Sequence, residues 1–280
     1  DRSLEWTGVL SGATAPARAE DEMTAVVDGW EGVEVRSLEP GQLADDQARR
    51  DQWLAQREQL QAYRDQPART ADGRQVALYA NIGGISDAEA AVHAGAEGIG
   101  LFRTEFLFMD RTALPSEEEQ YEVYRQVSQL MAGKEVIIRT LDVGGDKGVA
   151  YLGMEAEENP FLGHRAIRYC LDHPEIYKVQ LRALLRAGAE HRNLKIMLPL
   201  VTGVEEIRAA RALLETCKKE LGAEGKAYDG AIPLGVMIET PAAALIADLL
   251  AKESDFFSLG TNAVSYTHSE PPRQAAIPYA

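Results

Sequence analysis

The chain has 280 residues, 45% hydrophobic and 26% charged, an ordinary globular mixture with room for a sizeable core. Its formal net charge of −15 disfavours nucleic acid or an anionic membrane surface as partner, because phosphate backbones demand a basic patch. A small phosphorylated ligand stays open, since a few arginines make a local positive pocket inside an acidic protein.

No apolar run approaches the ~20 residues that span a bilayer. Cys170 and Cys217 make no disulfide framework and read as buried or half-buried free thiols, which fits a reducing cytosol. The first residues, Asp1-Arg2-Ser3, carry neither an initiator Met nor a signal-like stretch, so the chain reads as the interior of a longer cytoplasmic protein.

Thr24 to Val35 holds two short β-type runs around Asp28-Gly29-Trp30-Glu31-Gly32, a hairpin pattern. Residues 44–66 are rich in Gln, Arg, Asp and Ala, with a thin apolar stripe of Trp53, Leu54, Leu60 and Tyr63. This predicts a long, solvated connector helix.

From residue 76 the pattern becomes strand, then helix, repeated. Strands are predicted at 76–81, 97–102, 135–139, 195–201, 234–239 and 255–260. Capping boxes are predicted at Ser86–Glu89, Ser116–Glu119 and Thr202–Glu205, and Thr240-Pro241 reads as N-cap and first helical residue. One helical region is predicted from about Leu162 to Ala189. Repeated units of this kind imply parallel strands with right-handed crossovers, and near-continuous apolar strands imply that both sheet faces are covered. A (β/α) barrel needs eight units and about 250 residues. Only six strands are legible here, so the expected fold is α/β, an incomplete (β/α)8 TIM-type barrel. Residues 263–280, with Pro271-Pro272, read as an irregular tail.

The predicted strands end on polar or charged residues. Leu101-Phe102 runs into Arg103, Ile137-Ile138 into Arg139, Met237-Ile238 into Glu239, and Ser258-Leu259 leads to Thr261-Asn262. Carboxyl ends of parallel strands are where such folds present ligand sites. Arginine suits phosphate and carboxylate groups through its planar, permanently charged fork. Arg103 and Arg139 are therefore assigned to an anionic ligand, the alternative being ion pairs with carboxylates such as Glu105 or Asp142. Arg165 could reach the ligand from the loop side, with Arg168 on the same face, the alternative being a solvated helix cation. Glu239 sits where a hard cation would meet an oxygen ligand and is the metal-ligand candidate. Asn262 offers an amide to the ligand or caps the following turn. The glycine pair at Gly144-Gly145 reads as loop geometry rather than a phosphate cradle. The five histidines show no metal-ligand spacing.

Five blocks in order, Gly98–Arg111, Ile138–Lys147, Glu158–Arg165, Gly235–Ala242 and Asp255–Asn262, closely resemble enzyme I of the bacterial sugar phosphotransferase system. Pyruvate phosphate dikinases and phosphoenolpyruvate synthases share several blocks, but Phe106–Arg111 and Leu114–Gln120 look more like enzyme I. The resemblance implies a dimerising, phosphoenolpyruvate-binding barrel with Mg²⁺ as cofactor. It also implies phosphoryl transfer to a histidine on a swivelling domain, and on to HPr. By the same resemblance, residues 1–36 would be a remnant of the swivelling domain, 37–68 a linker helix and 69–262 the partial barrel. Three departures follow. No histidine precedes His93, the family's Asn-Asp pair reads Asn262-Ala263, and the proton-donating cysteine has no counterpart. No catalytic residue is therefore assigned, and this chain alone is expected to be inactive. The alternatives are a non-catalytic interaction fragment and a dikinase- or synthase-like enzyme.

Overall fold

The computed structural model describes residues 25–28, 32–35, 40–109, 111–143, 152 and 163–260. The chain divides into two compact units, Asp1–Gln66 and Pro67–Ala280. In the first, β1 (Ala25–Asp28) and β2 (Gly32–Val35) pair antiparallel, and α1 spans Pro40–Gln61. Trp53, Leu54 and Leu60 of α1 are about half exposed, so its apolar stripe is too thin to bury.

The second unit carries six parallel strands in chain order: β3 (Tyr79–Ile82), β4 (Gly98–Arg103), β5 (Val136–Arg139), β6 (Leu194–Leu198), β7 (Leu234–Ile238) and β8 (Phe257–Leu259). Among the described residues β3 and β8 do not pair with each other, so the sheet is an open arc of barrel type. The helices between strands are α2 (Ile85–His93), α3 (Glu117–Leu130), α4 (Ile167–Asp172), α5 (Pro174–Ala187), α6 (Val204–Ala223), α7 (Pro241–Leu245) and α8 (Ala247–Leu250). No helix of the described residues is long and apolar enough to cross a membrane.

Strand alternation sorts side chains onto two faces. Ile99, Val136, Ile138, Leu194, Ile196, Leu198, Leu234 and Val236 point to the helices and join the main core with Tyr124, Tyr177, Leu181, Leu184 and Ile207. The opposite face holds a smaller cluster, Ile137, Met197 and Met237, with Leu101 and Phe256 against it. That inner face is the one on which the strand-end residues open.

At the amino end of the inner face stands Tyr79, 39% exposed. Its ring lies across β4, where a Cβ on Gly98 would come within 2.9 Å of the ring and of the Glu135 carbonyl, and one on Gly100 within 3.1 Å of the Tyr79 Cβ. The Tyr79 hydroxyl donates to Glu135 at 3.0 Å, and Glu135 also pairs with Lys195. The Gly-Ile-Gly run therefore makes room for an aromatic side chain and is no phosphate loop.

Local signals fared unevenly. Ser116 caps α3 in a full box, accepting from the Glu119 amide at 3.2 Å while Glu119 accepts from the Ser116 amide at 2.8 Å. Thr240 caps α7 by accepting from the Ala243 amide at 3.1 Å. The other two boxes are shifted. Helix α2 starts at Ile85, and Asp87 accepts from the Gly83 amide at 2.7 Å. At α6 the acid is Glu206, accepting from the amides of Thr202 and Gly203 at 2.6 and 3.0 Å. The predicted 162–189 helix is broken at His173, because Pro174 cannot continue a hydrogen-bond ladder but suits a first turn. The first strand begins at Tyr79, since Val76 and Leu78 are exposed. Both cysteines are free and buried, and burial pushes the Cys217 thiol up to about 11.

Candidate functional site at the carboxyl ends of the strands

Arg103 and Arg139 are register partners, the last residues of adjacent parallel strands. Glu239 directly follows β7. The predicted residues Arg103, Arg139 and Glu239 thus share one rim, and Arg165 enters it from the segment before α4. Asn262 and the Gly144-Gly145 loop lie outside the described residues.

The two strand-end arginines differ in their surroundings. The Arg139 side chain is 9% exposed and sits between two buried carboxylates. It donates through Nη2 to Glu105 Oε1 at 2.6 Å, and its Nη1 lies 3.1 Å from Asp142 Oδ2. Burial alone would lower its pKa, but Asp142 and Glu105 outweigh it and hold the guanidinium above the ordinary arginine value. The ion-pair alternative is therefore realised at Arg139. Arg103 has no carboxylate partner among the described residues. Its guanidinium lies over the Phe106 ring at 5.2 Å, and its buried Nε makes no hydrogen bond there.

Arg165 is no solvated helix cation. It donates from Nε and Nη2 to Asp142 Oδ1 at 3.0 and 2.8 Å, with its side chain 12% exposed. Asp142 therefore holds two guanidiniums, one per oxygen. Glu239 Oε1 accepts from the Leu200 amide at 2.8 Å, and among the described residues Oε2 accepts no hydrogen bond. Burial raises the Glu239 pKa. The Leu200 amide pulls it back, Asp142 raises it further, and Arg139 and Arg165 oppose the rise. A Cβ on Gly260 would come within 2.7 Å of the Glu239 Cβ, so glycine there leaves the carboxylate its place.

Behind the rim lies a buried polar relay. Thr104 donates to the Arg139 carbonyl at 2.8 Å, and Gln180 of α5 donates to Thr104 Oγ1 and Tyr124 OH, both at 3.1 Å, while accepting from the Leu141 amide at 2.9 Å. It fixes the carboxyl ends of β4 and β5 against α3 and α5. Sequence reasoning missed Gln180 and Leu200 and weighed Glu105 and Asp142 only as rivals for the arginines. The available signal was charge alternation, since acids follow Arg103 and Arg139 by two and three residues.

Magnesium needs only one or two carboxylates, with ligand oxygens and water completing its shell. A buried carboxylate with one oxygen that accepts no hydrogen bond among the described residues fits that demand, because a bound cation would offset the burial that disfavours its charge. Among the described residues no group of three or more His, Cys, Asp or Glu gathers to make a protein-only cage.

The family described as PEP-utilising enzyme, PEP-binding domain, matches residues 57–267. This chain belongs to that family. Phosphoenolpyruvate-protein phosphotransferase of Staphylococcus carnosus (strain TM300) is 47% identical over 267 residues, covering 95% of this chain and 46% of that protein. The protein of the same name from Haemophilus influenzae (strain ATCC 51907 / DSM 11121 / KW20 / Rd) is 55% identical over 204 residues, 73% of this chain and 35% of that one. The chain thus spans less than half the length of these curated relatives. A solved 2,3-dimethylmalate lyase aligns over 75% of this chain and 82% of its own at 12% identity, with a TM-score of 0.29. That score is too low to bear on the fold, which rests on the parallel sheet described above.

Proposed function

We propose that this chain binds phosphoenolpyruvate at the rim formed by Arg103, Arg139, Arg165 and Glu239. Arg103 and Arg139 take the phosphate, Arg165 reaches the ligand from the loop side, and Asn262 offers an amide. Glu239 is one ligand of a Mg²⁺ ion, which when bound offsets charge on the phosphoryl oxygens. Because acids already neutralise Arg139 and Arg165, the ligand's charge falls first on Arg103. The observation that carries the reading is this arginine, without an acid among the described residues, placed in register beside Arg139.

The parent protein is proposed to be a cytoplasmic, homodimeric phosphotransferase that moves the phosphoryl group to a histidine and on to HPr for sugar uptake. The names of the relatives and the five sequence blocks support this. Binding and orienting the ligand is the share proposed for this chain, and transfer requires a histidine domain in addition.

Calorimetry with phosphoenolpyruvate and Mg²⁺ tests the binding step. We expect a dissociation constant of roughly millimolar, a few kcal/mol of binding energy, lost in Arg103→Ala. Heats indifferent to both Arg103→Ala and Arg139→Ala would end the reading. A non-catalytic interaction module is the second reading, and one observation favours it: the edge strand β8 exposes Leu259 to 74%, and Leu78 beside β3 is 59% exposed. Concentration-dependent sedimentation that ignores phosphoenolpyruvate would support that module instead.

A further inference from the structure

Three non-glycine residues of the described chain have positive φ: Ala166 at 54°, Arg192 at 51° and Leu200 at 53°. Arg192 occupies an exposed turn before β6, where left-handed backbone is commonplace. Ala166 and Leu200 are 1% and 2% exposed, and both lie at the site rim. Ala166 combines its positive φ with ψ −129°, a region that side chains with a Cβ avoid. Such backbone persists only where its surroundings over-determine it.

Each strained residue sets one site group. Ala166 follows Arg165 and turns the chain from the rim into α4. Leu200 presents its amide to Glu239 Oε1 at 2.8 Å. One side chain joins them: Arg168 donates through Nη1 to the Gly163 carbonyl at 2.8 Å and through Nη2 to the Leu200 carbonyl at 3.4 Å. Its planar fork spans two backbone segments that belong to separate β/α connections. A flexible ammonium could satisfy one carbonyl but not hold both in a fixed relation.

We propose that Arg168 is a positioning residue, a strap that ties the Arg165 segment to the Leu200 turn and so keeps Arg165 and Glu239 aimed at one ligand. It touches neither ligand nor metal. The ligand arm of its test rests on the phosphoenolpyruvate reading, and the first arm does not.

That first arm is amide hydrogen exchange in the ligand-free 280-residue chain. In Arg168→Ala the Leu200 amide exchanges at least about tenfold faster, while Ile196, inside β6, keeps its protection. Arg168→Lys restores melting temperature but not Leu200 protection, which separates aiming from bulk stability. Wild-type protection of Leu200 in folded Arg168→Ala overturns the proposal. If that variant fails to fold, the same result in Arg168→Lys does so.

The second arm is phosphoenolpyruvate affinity with Mg²⁺, expected to fall about five- to tenfold in Arg168→Ala and in Ala166→Gly. Ala166→Gly relieves strain, so its melting temperature holds or rises while affinity falls, opposite to what loss of structure would give. Unchanged affinity in both variants counts against the strap. Should the wild-type chain bind no phosphoenolpyruvate, the functional reading fails and Leu200 exchange alone decides the strap.

Discussion

The two ends of the inner sheet face make opposite use of charge. At the amino end, the floor of that face, Glu135 meets Lys195 and the Tyr79 hydroxyl, a group that satisfies itself. At the carboxyl end Glu105, Asp142, Arg139 and Arg165 also neutralise one another, but among the described residues Arg103 meets no acid and one oxygen of Glu239 accepts no hydrogen bond. The amino end finishes its pairing within the fold, whereas the surplus at the carboxyl end is what the proposed binding of an anion would use.

The largest effect should come from breaking a pair at the rim. Arg139→Ala leaves Glu105 and Asp142 buried without their shared cation and should cost about 3–5 kcal/mol of stability, read as a large loss in denaturant midpoint. Arg103→Ala tests the surplus. It should weaken phosphoenolpyruvate binding about 100-fold or more, roughly 2.7 kcal/mol, and shift the midpoint by no more than about 0.5 kcal/mol.

Lys195→Ala at the floor should cost about 1 kcal/mol, because the pair is part-exposed, and leave ligand affinity untouched. An affinity loss there as large as at Arg103 would erase the contrast between the two ends. Glu239→Gln should raise the melting temperature slightly while abolishing Mn²⁺ binding seen by electron paramagnetic resonance. Its raised pKa means that the folded state prefers the protonated acid, so ionised Glu239 lowers stability. That loss sets in as pH rises from its unfolded value through its higher folded one.

The smallest effect lies away from both ends. Arg111 and the Ser116 cap hold Glu119 down at about 2. Its contribution to α3 is fully present above the ordinary glutamate pKa and disappears as pH falls towards 2. Glu119→Gln should therefore flatten acid unfolding over that window, as followed by circular dichroism.

Several elements were legible because they follow from local chemistry. The apolar strand runs, the Ser116 box and the Thr240-Pro241 start each depend on residues a few positions apart. The break at His173-Pro174 was as local, yet helical periodicity on both sides hid it. What pairs Arg139 but leaves Arg103 without an acid among the described residues could not be read that way. Glu105 is nearer in sequence to Arg103 than to Arg139, and it is the parallel register that turns it to the neighbouring strand. Gln180 reads in sequence as a polar residue on an amphipathic helix, and only packing makes it the join between Thr104, Tyr124 and Leu141.

The sequence by itself determined the alternation of strand and helix, the six apolar runs, and which residue types stand at their carboxyl ends, because periodicity and capping act over single turns. Only the tertiary structure decided which cations are already neutralised, that Glu239 holds the Leu200 amide through one oxygen, and that Gly98 and Gly100 yield to an aromatic ring. Those outcomes depend on side chains up to about a hundred residues apart meeting in a low-dielectric interior, where each charge is set by its neighbours in space.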